Sequence, residues 1–316
     1  MKSKIKKTDK LKKKGIVHEL VSNAGFYLLL MPAVIYTIVF KYFPLIGLVI
    51  AFQDYNPIKG MFGSKFIGLS NFKYFFRGSQ WLNITFNTFW LNILFIATGT
   101  FASVAIAIIL NELGKGIFVK VSQSVMILPH FISWAVVAMF AQAFIGSEGG
   151  LINQILEYFG KEPISFYMNP DVWPTIFVII RIWKGAGYGS IVYMAAIAGI
   201  DSEVYESARV DGATRWQSIW YITVPLLKNV VVLMTIMSVG NIFYGDFGMI
   251  YTLVGDNSIL FETTDVIDTY VFRSIRVSGS MGMSAAVGLY QSIIGFIMVM
   301  VTNAWAKRVN PEAAIF

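Results

Sequence analysis

The sequence has no cysteine and only two histidines, His18 and His130. The first absence excludes disulfide scaffolds, thiolate metal sites, iron–sulfur clusters and cysteine nucleophiles. Two histidines so far apart are too few for a histidine-based zinc site. Charge is scarce: 14% of the 316 residues are Asp, Glu, Lys or Arg, against about 25% in soluble domains. There is no Gly-x4-Gly-Lys-Ser/Thr loop, so the chain cannot cradle nucleotide phosphates in that way. No clustered carboxylates or Ser/His pair suit a metal-dependent or nucleophilic membrane enzyme.

What is present is apolar. Hydrophobic residues make up 56% and aromatics 16%, with a mean hydropathy of +0.64. A soluble globule of this composition would expose large apolar patches. The net charge of +7 belongs mostly to one segment. Residues 1–25 hold eight lysines against Asp9 and Glu19, which leaves no basic face for nucleic acid. Such a tail anchors a first span on the cytoplasmic side and attracts anionic lipid headgroups.

Six stretches are long and apolar enough to cross a bilayer of roughly 30 Å: about 26–52, 89–110, 123–146, 174–197, 229–250 and 282–306. The first is too long for a signal-peptide core and lacks a small-residue cleavage site, so it reads as a retained span. Lys41 and Pro44 predict tilt or a kink there. With the tail inside, inner segments carry fifteen Lys and Arg and outer segments seven, which places both termini in the cytoplasm. The expected fold is therefore all-α: a polytopic membrane protein with six transmembrane helices. It divides into a basic tail 1–25, a transmembrane domain 26–306 and a C-terminal tail 307–316. Outside the spans, residues 151–159 have amphipathic spacing, with Gly160 as a stop.

The inner loop 198–228 is the most informative segment. Asp201 stands at an N-cap, helix formers run to Val210, and Asp211-Gly212 breaks the helix. A second amphipathic stretch runs from Thr214 to Ile222, and Pro225 opens the fifth span. Two short helices meeting at a glycine bend suit a lever moved by a soluble partner.

Glu206-Ser207-Ala208, three residues, Gly212, nine residues and Ile222-Thr223-Val224-Pro225 resemble the EAA-x3-G-x9-I-x-L-P loop of binding-protein-dependent ABC importers. Ser207 for Ala and Val224 for Leu are mild departures. The surroundings Ile200-Asp201 and Tyr205-Glu206, with Asp211-Gly212-Ala213, resemble carbohydrate-type permeases such as the maltose importer's transmembrane subunits. Leu128-Pro129-His130-Phe131-Ile132-Ser133-Trp134, the run Asp265 to Arg273 and the ending Asn303 to Glu312 resemble the polysaccharide or complex-oligosaccharide permeases. The resemblance implies an ABC type I importer transmembrane domain in a bacterial cytoplasmic membrane. It implies a second permease subunit, usually a different chain, an ATPase dimer and a sugar-binding protein or lipoprotein. ATP and Mg would reside in the ATPase partners, with no cofactor in this chain. It places ATPase docking on Glu206, Ser207, Ala208, Asp211, Gly212 and Ala213.

Charges at membrane depth are costly and face an interior or a cavity. Span four contains Arg181-Ile182-Trp183-Lys184-Gly185-Ala186-Gly187-Tyr188, and its glycines suggest an unwound turn lining a cavity. They also suit close helix packing. Span five contains Phe243, Tyr244 and Asp246. Span three contributes His130, Ser133 and Trp134 after Pro129. The resemblance implies sugar contacts at Arg181, Lys184, Gly185, Tyr188, Ile242, Phe243 and Asp246; Trp183, Tyr244 and Trp134 add aromatic surface. Asp246 is expected to pair with Arg181 or Lys184. A secondary transporter would use these charges as an ion relay, but no inverted repeat is evident. An ABC importer of another solute would share the loop.

Overall fold

A computed structural model describes residues 22–309 except 115 and 148. The lysine tail up to residue 21 and the ending from Asn310 lie outside the described residues. The chain divides into two units, Met1–Val49 and Ile50–Phe316.

The first unit carries helix α1 (Ala24–Thr37), which passes into a π turn at Ile38–Tyr42 and a 3-10 stretch at Phe43–Phe52. No residue of α1 or of the π turn is buried. Its apolar side chains point all round, as expected of a helix solvated by lipid or covered by another subunit. The helix widens and then tightens around Lys41 and Pro44, where a kink was expected.

The second unit opens with a two-residue antiparallel pair, β1 (Gln53–Asp54) on β2 (Lys65–Phe66). Helices follow: α2 (Ser70–Arg77), α3 (Gln80–Glu112), α4 (Ile117–Ile127), α5 (Trp134–Ile145), α6 (Leu151–Tyr158) and α7 (Trp173–Ala198). Then come α8 (Ser202–Val210), α9 (Arg215–Ser218), α10 (Val224–Val239), α11 (Phe247–Val254), α12 (Ile267–Arg276) and α13 (Met281–Val309). Among the described residues, five helices are long and apolar enough to cross a membrane, or six if one bent pair counts as a span.

That bent pair corrects the expected third span. Residues 117–131 and 134–145 form two helices bent by 101°. Pro129 and the extended Ile132 end the first, and Ser133 caps the second by accepting from the Val136 N–H at 3.4 Å. The fifth span also shifts. It runs from Arg215 to Val239 through a π turn at Ile219–Thr223 and through Pro225, then breaks at residues 240–246. Pro225 is the second residue of the α-helical part, directly after the π turn. The fourth span differs in the opposite sense: α7 is unbroken from Trp173 to Ala198 despite its glycines.

Those glycines admit neighbours. A Cβ on Gly187 would lie 2.0 Å from the Met126 carbonyl oxygen, and one on Gly189 would lie 2.5 Å from Ser103 Oγ. Gly185 meets nothing within 4 Å. So α4 and α3 press on two glycine faces of α7, while the third is open. Apolar cores fill both ends of the bundle. One packs Leu91, Phe95, Trp173, Phe177 and Met249. The other packs Ala107, Tyr193, Ile197 and Leu227 towards the α8 end. The amphipathic stretch after residue 150 forms α6 as expected, with Gly160 at φ +70° just beyond it.

Candidate functional site

Two interruptions of apolar spans lie against α7: the α4–α5 elbow at 128–133, a 3-10 turn followed by the extended Ile132, and the α10–α11 break at 240–246. In lipid, such backbone must find partners within the protein or line a cavity. Both are served by α7, through two cations one turn apart.

Lys184 is buried, with 9% exposure. Its Nζ donates to the carbonyls of Pro129 (3.2 Å), His130 (2.7 Å) and Ile132 (2.6 Å). It also sits 5.1 Å from the centre of the Trp134 ring. The ammonium thus satisfies the carbonyls that the elbow frees, and all three of its donors are used. Arg181 serves the other break. Its Nη1 donates to Asp246 Oδ2 at 2.8 Å, and its guanidinium lies 4.7 Å from the Phe95 ring centre. Asp246 also caps α11, accepting from the Met249 N–H at 3.1 Å. The expected pairing of Asp246 therefore falls to Arg181. Asp246 sits at a helix start and not within a continuous fifth span.

The remaining sequence-marked residues divide by face. Tyr188 is half exposed and stacks flat on His130, 4.0 Å between ring centres at 6°. Tyr244 is half exposed and Phe243 buried, stacked on Phe89 at 5.8 Å. Ile242 is buried in the same core as Phe243. Trp134 packs on α11, where a Cβ at Gly248 would lie 2.8 Å from its ring. Trp183 points elsewhere, into an apolar groove of about 450 Å³ with Val137, Phe140, Phe144, Ile176 and Ile179. His130, Tyr188 and Tyr244 are exposed, and Arg181, Gly185 and Asp246 are partly exposed; the structure joins Arg181 to Asp246 and Tyr188 to His130. Lys184 and Phe243 are buried.

A second set of residues, unmarked in the sequence reading, ties down the 240–246 break. Asn92 on α3 donates to the Tyr244 carbonyl at 3.2 Å. Gln291 on α13 donates to the Phe243 carbonyl at 2.7 Å and to Asp268 Oδ2 at 3.1 Å. That same oxygen accepts from the Gly245 N–H at 2.6 Å. Burial pushes the Asp268 carboxyl above its usual range, and the bonds from Gly245 and Gln291 draw it part of the way back. Neighbouring bonds hold the start of α12 on α3: Asn87 to the carbonyls of Glu262 (2.9 Å) and Asp265 (3.1 Å), and the Ile267 N–H to Thr88 Oγ1 (2.9 Å). Asn83 and Asn87 stand one helical turn apart and Asn92 lies five residues on, all within a mostly apolar stretch; polar amides in such a stretch were the available signal.

At the far end, α8 has the cap its sequence predicts. Asp201 accepts from the Glu203 N–H at 3.0 Å. The helix stops in a Schellman motif: Ala213 N–H to Ala208 O at 2.9 Å and Gly212 N–H to Arg209 O at 3.1 Å, with Gly212 at φ +84°. Thr214 and Gln217 then form a capping box that starts α9. Glu206, Ser207 and Asp211 are exposed. Ala208, Asp211, Gly212, Ala213, Gln217 and Tyr221 line a shallow cleft of about 330 Å³. Tyr205 Oη lies 2.9 Å from Thr223 Oγ1, so α8 is tied to the base of α10.

Broken spans braced by two cations of one helix, joined to a helix–glycine–helix element at one end, define a multi-pass permease domain of the type I ABC importer fold. Residues 99–311 match the family described as "Binding-protein-dependent transport system inner membrane component", and the chain belongs to that family. It is 35% identical over 303 residues to "Polygalacturonan/rhamnogalacturonan transport system permease protein YteP" of Bacillus subtilis (strain 168), covering 96% of this chain and 94% of that one. It is 34% identical to "Protein LplB" of the same organism, over 93% of this chain and 92% of the other. Among solved structures, a chain of a bacterial ABC transporter involved in the import of the acidic polysaccharide alginate superposes with a TM-score of 0.84. That match has 31% identity and covers 93% of this chain and 99% of the other. The bacterial alginate transporter in complex with an alginate pentasaccharide-bound periplasmic protein gives 0.84, with 30% identity over 94% of this chain and 98% of the other. The chain is thus a transport subunit of the cytoplasmic membrane.

Proposed function

We propose that the chain is one of two permease subunits of an ATP-driven importer that brings an oligosaccharide into the cell. The observation that carries this reading is the α8–Gly212–α9 element. Its caps are satisfied internally, and its carboxylates, Glu206 and Asp211, are left free for a partner. ATP and magnesium belong to separate ATPase subunits, which dock on Glu206, Ser207, Ala208, Asp211, Gly212 and Ala213. Glu206 offers a carboxylate to a cationic side chain of the partner, and the open space around Gly212 admits its surface. With both termini and α8 in the cytoplasm, a sugar-binding protein delivers solute at the opposite end.

The carbohydrate assignment draws on the relatives, whose names refer to polygalacturonan, rhamnogalacturonan and alginate. In this chain the solute wall consists of Arg181, Gly185, Tyr188, Tyr244 and Asp246, with Trp134 at its edge. Aromatic faces stack on sugar rings, and the polar groups bond hydroxyls. Lys184 and Phe243 support that wall from behind, and Trp183 faces lipid or the second permease. Movement of α8 by the ATPases pulls on α10 through Tyr205 and Thr223. It pulls on α7 through the three-residue link Gly199 to Asp201, so both braces respond together.

The test is co-purification. The native chain, tagged in its own membrane, should recover an ATPase and a second permease. Gly212→Asp should keep the permease and lose the ATPase. A native chain that emerges alone from several detergents would overturn the reading.

A further inference from the structure

The break at 240–246 is held from three helices at once, and the solute wall is built on it. Asp268 of α12 takes the Gly245 N–H at 2.6 Å, Gln291 of α13 takes the Phe243 carbonyl at 2.7 Å, and Asn92 of α3 takes the Tyr244 carbonyl at 3.2 Å. Gln291 also reaches Asp268 Oδ2 at 3.1 Å, so two of the three holders hold each other. A Cβ at Gly245 would lie 2.9 Å from the same oxygen, so the backbone approaches the carboxylate as closely as glycine alone permits. We propose that Asp268, Gln291 and Asn92 form a latch that fixes the unwound segment, presents Tyr244 and Asp246 to the solute path, and makes that segment one body with the start of α12. They are positioning residues, since none of them belongs to the wall itself.

The chemistry favours a latch over incidental packing. Over three consecutive residues, the Phe243 and Tyr244 carbonyls and the Gly245 N–H bond to side chains and not to a continuing helix. Each is a backbone group that would be costly to bury alone. Each finds a side chain from a different helix, and Gln291 and Asn92 are themselves buried. The start of α12 is in turn bonded to α3 through Asn87 and Thr88. A push on α12 therefore reaches Gly245 through the Asp268 carboxylate and through the Val266 side chain beside it.

The role at the solute path rests on the function proposed above. The latch itself does not, and its test needs no solute. Because the chain has no cysteine, a single one reports without background. Ile242→Cys stands in the buried part of the segment, and Ala107→Cys in the core at the α8 end. Each is placed in the assembled complex and its rate of modification by a small water-soluble thiol reagent is measured. Asp268→Ala and Gln291→Leu each remove two of these bonds and should each speed labelling at Ile242→Cys about fivefold or more, the population change expected for at least one lost hydrogen bond. Labelling at Ala107→Cys should stay slow. Asp268→Asn keeps an acceptor for the Gly245 N–H and should leave both rates near those of the parent. Unchanged labelling at Ile242→Cys in both disruptive variants, or an equal rise at both reporter positions, would overturn the latch.

Discussion

Arg181 and Lys184 are one helical turn apart and carry the same charge, yet their partners give them different energetics. Lys184 is buried and spends every donor on a carbonyl. Lys184→Met would strand three acceptors, at about 1–3 kcal/mol for each that stays dry. Arg181 meets a carboxylate, and its side chain is 37% exposed. Asp246→Ala and Arg181→Met should each lower the unfolding midpoint of the detergent-solubilised complex by less than Lys184→Met. The Arg181→Met/Asp246→Ala double variant should be less damaging than the sum of its parts, by about 1 kcal/mol. Single substitutions that unfold like the parent would show that the pair contributes nothing to the fold.

Among elements, α7 decides most. Its glycines look alike in sequence, and its packing separates them. Gly187→Ala must displace the Met126 backbone and should cost about 1–3 kcal/mol. Gly185→Ala meets empty space and should assemble and melt like the parent. Expression and thermal unfolding of the two variants side by side measure this, and equal behaviour would refute the packing assignment. At the α8 turn, Gly212→Ala places a side chain at φ +84°, a local strain of about 1–2 kcal/mol, without the carboxylate that Gly212→Asp brings to the docking cleft.

For the whole molecule, the charge bias predicts a topology. Val210 on the loop after α7 and Tyr158 at the end of α6 are both strongly exposed, at 88% and 86%. In intact cells, Tyr158→Cys should react with a membrane-impermeant thiol reagent, and Val210→Cys should react only after the membrane is opened. The reverse pattern would invert the orientation.

Composition, span count and the α8–Gly212–α9 element were legible because each depends on local rules. Apolar runs measure membrane thickness, caps follow from side-chain oxygens near free N–H groups, and a glycine bend needs only its own φ. The pairing of Asp246 was foreseen too, since a charge at that depth needs a counter-charge. The interruptions were misplaced. The elbow at 128–133 and the break at 240–246 sit in apolar sequence that reads as continuous, and the glycine-rich α7 reads as broken. Whether such a segment stays helical depends on who answers its backbone. In α7 the glycines serve close packing, with Met126 against Gly187, and the helix runs on, whereas Lys184, Asn92, Asp268 and Gln291 supply bonds to the backbone of the other two interruptions. Those partners lie tens to hundreds of residues away, so only the folded bundle brings them together.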